Sequence, residues 1–149
     1  WVWGPETSPD IALLDPHFSA SLSANLTAWT GMDTLVHAFE SASSNRYTHQ
    51  GAQLYAHQAI RLSVDALPKA VHSPDNLDAR TDMLLASYYT GCAIHLCSTS
   101  IAHALSHALA RLAPINHGLA TALAFEIRLP FVLAAETKDM QKAAAAFGI

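Results

Sequence analysis

Residues 99–120 read TSIAHALSHALARLAPINHGLA, an apolar, alanine-rich stretch that carries three histidines, His103, His107 and His117. Apolar residues recur at three- and four-residue steps through IAHALSHALARL, which predicts a helix. His103 and His107 stand four residues apart, so both project from one face of it. His117 follows the PIN turn, at the expected start of the next helix, HGLATALAFEIRL. Histidine titrates near neutrality and is the commonest metal ligand, so this many in an apolar setting calls for a reason. The whole chain has nine, against eight lysines and arginines together.

Working outward, the same periodicity covers nearly everything after Met32. GMDTLVHAFESASS places Leu35, Val36, Phe39 and Ala42 on an apolar stripe and brings Asp33 and His37, again four apart, to one face. THQGAQLYAHQAIRLSVDALP reads as a helix that Pro68 stops. In SPDNLDARTDMLLASYYTGCAIHLC, Ser73 reads as a helix cap with Pro74 at the first helical position. TKDMQKAAAAFG reads as a last helix. Before Met32, DPHFSASLSANLTAWTG suggests a turn and a short helix ended by Gly31. IALLD suggests a lone strand in an otherwise Pro- and Gly-punctuated segment. Alanine richness and the scarcity of β-branched runs predict an all-α bundle with a short extended N-terminal segment. No internal repeat is evident.

Composition narrows the function classes. The chain has 149 residues, enough for one core; 51% are hydrophobic and the net charge is −4. No basic cluster exists, so nucleic acid and anionic membrane are not expected partners. No apolar run reaches the length of a membrane span, and WVWGPETSPD is no signal peptide. Cys92 and Cys97 read as buried free thiols in a reducing cytoplasm. The chain opens without methionine and closes on AAAAFGI inside a helical pattern. It therefore reads as a piece of a longer polypeptide, divided into an N-terminal connecting segment over 1–30 and a helical metal-binding domain over 31–149.

The two i, i+4 pairs and His117 offer one carboxylate and several imidazoles. Ferrous iron and zinc accept that mixture. A bound ion of this kind polarises a carbonyl or an alcohol oxygen. Spacing alone leaves a second reading open, in which each pair is a hydrogen-bonded helix pair. His17, His49 and His72 fall in or near turns and read as solvated. His57 and His95 read as packing residues, and Trp29, Tyr88 and Tyr89 as core aromatics.

TGMDTLVHAFE resembles the TGMD-x-x-x-HA-x-E segment of the iron-containing (group III) alcohol dehydrogenase family. IAHALSHALARLAPINHGLA resembles its second signature, HA-x-x-H followed ten residues on by HG-x-A. AIRLSVDALPKAV and NLDARTDMLLASYYTGCA are similar to the intervening helices. The resemblance implies the family's dehydroquinate synthase-like C-terminal helical domain. It also implies a divalent metal, iron or zinc, held by Asp33, His37, His103 and His117, with His107 near nicotinamide and substrate as a proton-relay or positioning residue. The implied activity is NAD- or NADP-dependent interconversion of a small alcohol and its aldehyde or ketone, in the cytoplasm. A homo-oligomer is among the assemblies it allows.

The glycine-rich turn of the family's N-terminal dinucleotide-binding domain has no counterpart here, since the six glycines are all isolated. The nucleotide is therefore expected to need that further domain. CSTS stands where the family often has glycines, HALA stands for HPLG, LPF for LPH, and AAE replaces the usual asparagine. Polyol dehydrogenase and maleylacetate reductase-like chemistry remain alternatives; retention of Asp33 argues against the metal-free reductases. A non-catalytic helical metal-binding or interaction module is the alternative outside enzymes.

Overall fold

The structure, a computed structural model, describes residues 4–44, 49–134 and 138–148. Residues 1–3, Thr48, Ala135, Glu136 and Thr137, which figure in the readings above, lie outside them. Among the described residues there is no strand; a 3-10 turn, Pro5–Thr7, precedes α1 (His17–Ala20), α2 (Ala24–Ala42), α3 (Gln50–His72), α4 (Leu77–Cys97), α5 (Ile101–Leu112), α6 (His117–Leu133) and α7 (Lys138–Ala146). The expected all-α bundle is what forms. No helix of the described residues is long and apolar enough to cross a membrane.

α2 is the centre of the bundle. It packs on α3, α4 and α6, while α5 leans mainly on α6. Its buried face presents Leu35, Val36, Ala38, Phe39 and Ala42 to Ala56, Ala59 and Ile60 of α3, Ala86 and Ala93 of α4, and Phe125 of α6. Alanine at so many contacts lets helix axes approach closely, and the aromatic rings fill what space remains. Phe39 meets Phe125 edge to face at 4.9 Å between centroids, an arrangement that suits the ring quadrupole.

Four local expectations give way to tertiary packing. The IALLD run is no strand: Ile11 and Leu13 are exposed, with no partner strand to complete a ladder. Gly31 does not end a helix, because α2 begins at Ala24 and runs through it. Gly31 is buried there, and a Cβ would collide with Leu67 of α3, so glycine marks a close crossing. Pro68 does not stop α3, which continues to His72; one lost backbone donor is tolerated where both flanks pack. Ser73 caps the end of α3, and Asn76 caps α4 by accepting from Ala79 N at 3.0 Å. Proline 74 therefore lies in the connection.

The cysteines and aromatics divide. Cys97 is buried and Cys92 half-buried, both as free thiols; Tyr88 is exposed while Trp29 and Tyr89 are half-buried. His17, His49 and His72 are exposed as expected. His49 in addition caps α3.

Candidate metal centre

Three helices deliver the site. Asp33 and His37 come from the middle of α2, His103 from the first turn of α5, and His117 from the first residue of α6. The α5–α6 turn is held by Asn116, whose side chain accepts from Gly118 N at 2.9 Å and from Leu119 N at 3.4 Å. That cap fixes where α6 starts and so where His117 stands. Gly118 behind it is buried against the α2 backbone, and a Cβ there would run into the Trp29 carbonyl group.

The carboxylate of Asp33 is the shared vertex. Its Oδ1 lies 3.4 Å from His103 Nε2 and 3.6 Å from His117 Nε2. Ligand atoms of all three residues lie within 4.8 Å of one another. His37 stands beside this trio, with Nδ1 3.6 Å from Asp33 Oδ2 and its ring 4.0 Å from the His103 ring. The geometry thus brings Asp33, His103 and His117 into mutual reach and keeps His37 against them.

Asp33 Oδ1 and His103 Nε2 are both buried and neither has a hydrogen-bond partner. Buried polar atoms are almost always satisfied, so two orphans facing each other need an explanation. Donor atoms held by a tetrahedral zinc-type ion at about 2.0–2.1 Å stand roughly 3.3–3.4 Å apart, close to the spacings here. One carboxylate with several imidazoles is also a donor set such ions accept. The residues fit a divalent cation.

Electrostatics make the same demand for positive charge. Burial works against a protonated His103, yet Asp33 and Glu40 on either side raise its pKa to about 9. Burial also pushes the Asp33 carboxyl up, but contact with His103 and the nearby charges of His37, His117 and His103 outweigh it and hold Asp33 below its ordinary value. His37 is pushed down, by burial first and then by His103. Without a cation, a proton at His103 supplies the compensating charge.

His103 of the orphaned pair lines a cavity of about 580 Å³. His37, His103, His107 and His117 face it, with Ile94 and His95 from the end of α4 and residues 98–100 of the connection. His107 is exposed there and its ring stacks on that of His117, 5.5 Å between centroids. His95, read from sequence as a core or surface packing residue, is exposed at this cavity.

Sequence reading gave no role to Glu40, the last residue of the TGMDTLVHAFE segment. It is fully buried, and its carboxylate accepts from His103 Nδ1 at 2.7 Å, Ala102 N at 2.7 Å, Ser100 N at 2.8 Å and Arg128 Nη1 at 3.0 Å. These donors offset its burial and hold its pKa down. A periodicity signal was present: Asp33, His37 and Glu40 fall at i, i+4 and i+7 of one helical stripe.

Fold and site together define a class: a helical domain with a carboxylate–imidazole cluster, of the composition that holds a divalent cation, at the wall of an open cavity. Comparison with known proteins gives the family. Residues 27–149 match the model of the Fe-containing alcohol dehydrogenase family, C-terminal, and the chain belongs to that family. It is 32% identical over 135 residues to the NAD-dependent methanol dehydrogenase of Bacillus methanolicus, covering 88% of this chain and 34% of that protein. It is 33% identical over 147 residues to maleylacetate reductase 2 of Cupriavidus pinatubonensis, covering 97% and 40%. Among solved structures, a 1,3-propanediol oxidoreductase superposes with a TM-score of 0.86 at 34% identity, covering 91% of this chain and 35% of that one. The chain therefore spans between a third and two fifths of the length of these relatives.

Proposed function

We propose that this protein supplies the metal-binding catalytic domain of an NAD(P)-dependent alcohol dehydrogenase, which interconverts a small alcohol and its aldehyde or ketone by hydride transfer. The observation that carries this is the orphaned pair, Asp33 Oδ1 and His103 Nε2, buried 3.4 Å apart behind the cavity that His103 and His117 line. Family membership supports it. So does an NAD-dependent alcohol dehydrogenase among the relatives.

Asp33, His37, His103 and His117 would hold the divalent ion, ferrous iron by family and zinc by chemistry. Such an ion supplies Lewis acidity toward an alcohol or carbonyl oxygen. The chain's own groups do the rest. The cavity admits a small substrate on the side where His103 and His117 face it, and Ile94 offers an apolar wall. His107, exposed and stacked on His117, receives the alcohol proton at a ring nitrogen and passes it to solvent. A dinucleotide-binding domain in the full-length protein would bring the nicotinamide to the open side of this cavity. The two free thiols, Cys92 and Cys97, suit a cytoplasmic setting.

The test is NAD(P)-dependent oxidation of short primary alcohols by the full-length protein, loaded with ferrous iron or zinc and compared with chelator-treated protein. Activity with metal and its loss on chelation is the expected result. A second reading, reduction of a maleylacetate-like substrate, is favoured by the reductase relative that aligns with nearly the whole chain. Metal-independent reduction of such a substrate would select it.

A further inference from the structure

We propose that Glu40 is the positioning residue of this site: it fixes the tautomer and aim of His103 and ties the helices that carry His103 and His117 to α2. The inference rests on reading Asp33, His37, His103 and His117 as metal ligands.

The argument begins with what a fully buried carboxylate requires. Glu40 lies inside the bundle, where an unpaired charge would be costly. Four donors answer it: Oε2 receives His103 Nδ1 and Ser100 N, and Oε1 receives Ala102 N and Arg128 Nη1. Two of these are backbone donors at the start of α5. Ser100, the residue at the cap position, makes no side-chain bond of its own. A carboxylate from α2 therefore caps α5, with its negative charge at the positive end of the helix dipole.

This cap is one turn from His103. The same carboxylate accepts a hydrogen bond from His103 Nδ1–H, so Nε2 is the nitrogen left to ligate. Nε2 is the atom that faces Asp33 Oδ1, buried and without a partner. A carboxylate behind a ligating imidazole orients the ring and raises its basicity. Glu40 thus settles both which nitrogen is offered and where it points.

Arg128 extends the tie to α6, eleven residues beyond His117 on the same helix. A guanidinium 3.0 Å away offsets part of the carboxylate's charge. The hydrogen bond to His103 and the placement of α5 and α6 carry the positioning role.

The experiment measures zinc binding to the full-length protein by competition titration, for wild type, Glu40→Gln and Ile60→Val. The last weakens the core away from the site and serves as a control for general loss of stability. Glu40→Gln is expected to bind zinc about 10–100-fold more weakly, the usual effect of removing such an outer partner. Ile60→Val should keep wild-type affinity despite a lowered melting temperature. A folded Glu40→Gln protein with wild-type affinity overturns the positioning role and leaves the metal reading standing. Failure of wild type to bind zinc overturns both. An independent measurement does not depend on the variant folding: nitrogen-15 spectra of zinc-loaded wild type should show the His103 proton on Nδ1, shifted far downfield and protected from exchange. A proton on Nε2, with zinc on Nδ1, would overturn the inference.

Discussion

Gly118 lies against the Trp29 carbonyl group so closely that a Cβ on it would come within 2.6 Å of the carbonyl carbon. Backbone cannot move aside as a flexible side chain can, so Gly118→Ala must lift the start of α6 away from α2. His117 is the residue before it and would leave the Asp33 carboxylate with it. Zinc affinity should fall at least about tenfold, and overpacking should cost about 1–3 kcal/mol of stability. Zinc titration with a melting curve checks both. Unchanged affinity would mean that His117 takes no part in ligation.

His103 and His107 share a helix face and should fail in different ways. His103→Ala removes a proposed ligand and one of the four donors to the buried Glu40, a hydrogen bond to a charged group worth about 1.5–3 kcal/mol. Activity should vanish and metal content should drop. His107→Ala should retain metal and lose turnover. Metal analysis beside kcat measurement separates them, and metal loss in His107→Ala alone would exchange the two roles.

The pH response of the metal-free protein follows from the same contacts. His103 is raised from 6.5 to about 9 on folding. The stability it contributes is complete below the unfolded value and is lost as pH rises through about 9. Asp33 and Glu40 are lowered from 3.8 and 4.5, so their contribution holds above those values and is lost as acid carries pH through the lower folded ones. His37, lowered from 6.5, acts in the opposite sense to His103 and erodes stability as pH falls below 6.5. With chelator present, the melting temperature should decline as pH rises from about 6.5 through about 9, and zinc should abolish that decline by replacing the proton. A flat chelated profile over that range would contradict the His103 assignment.

Ser98 adopts φ 66° and ψ 175° at the end of α4, a region that is essentially glycine's. Such strain costs of order 1–3 kcal/mol, against roughly 0.5–1 kcal/mol lost to glycine's greater freedom when unfolded. Ser98→Gly should therefore stabilise the protein by about 1 kcal/mol, or roughly 2–4 °C in Tm. Thermal melting checks it; a lower Tm would show that the serine hydroxyl matters more than the backbone.

Much of this was legible in residue order, and the exceptions have a common cause. The α5 bounds follow from apolar periodicity, and the i, i+4 pairs and HG turn give the candidate ligands, because helix geometry converts spacing into a shared face. Gly31 and Pro68 misled because their local effects were outweighed by packing: Gly31 admits Leu67, and Pro68 sits in a helix held on both sides. Ser73 and Pro74 imitate a helix start that Asn76 provides. The role of Glu40 was hidden for another reason. It ends the TGMDTLVHAFE segment, but nothing local assigns it a task until Ser100, Ala102, His103 and Arg128 are seen to converge on it from two other elements. Its donors lie 60–88 residues away in sequence, beyond any local pattern.

The central claim is that Asp33, His37, His103 and His117 share one cation. Anomalous diffraction from crystals of the full-length protein, collected on both sides of the iron and zinc absorption edges, tests it most directly. A single peak within about 2.0–2.3 Å of donor atoms from all four residues is the predicted result. A peak bound elsewhere, or none at this site in protein grown with saturating metal, would contradict it.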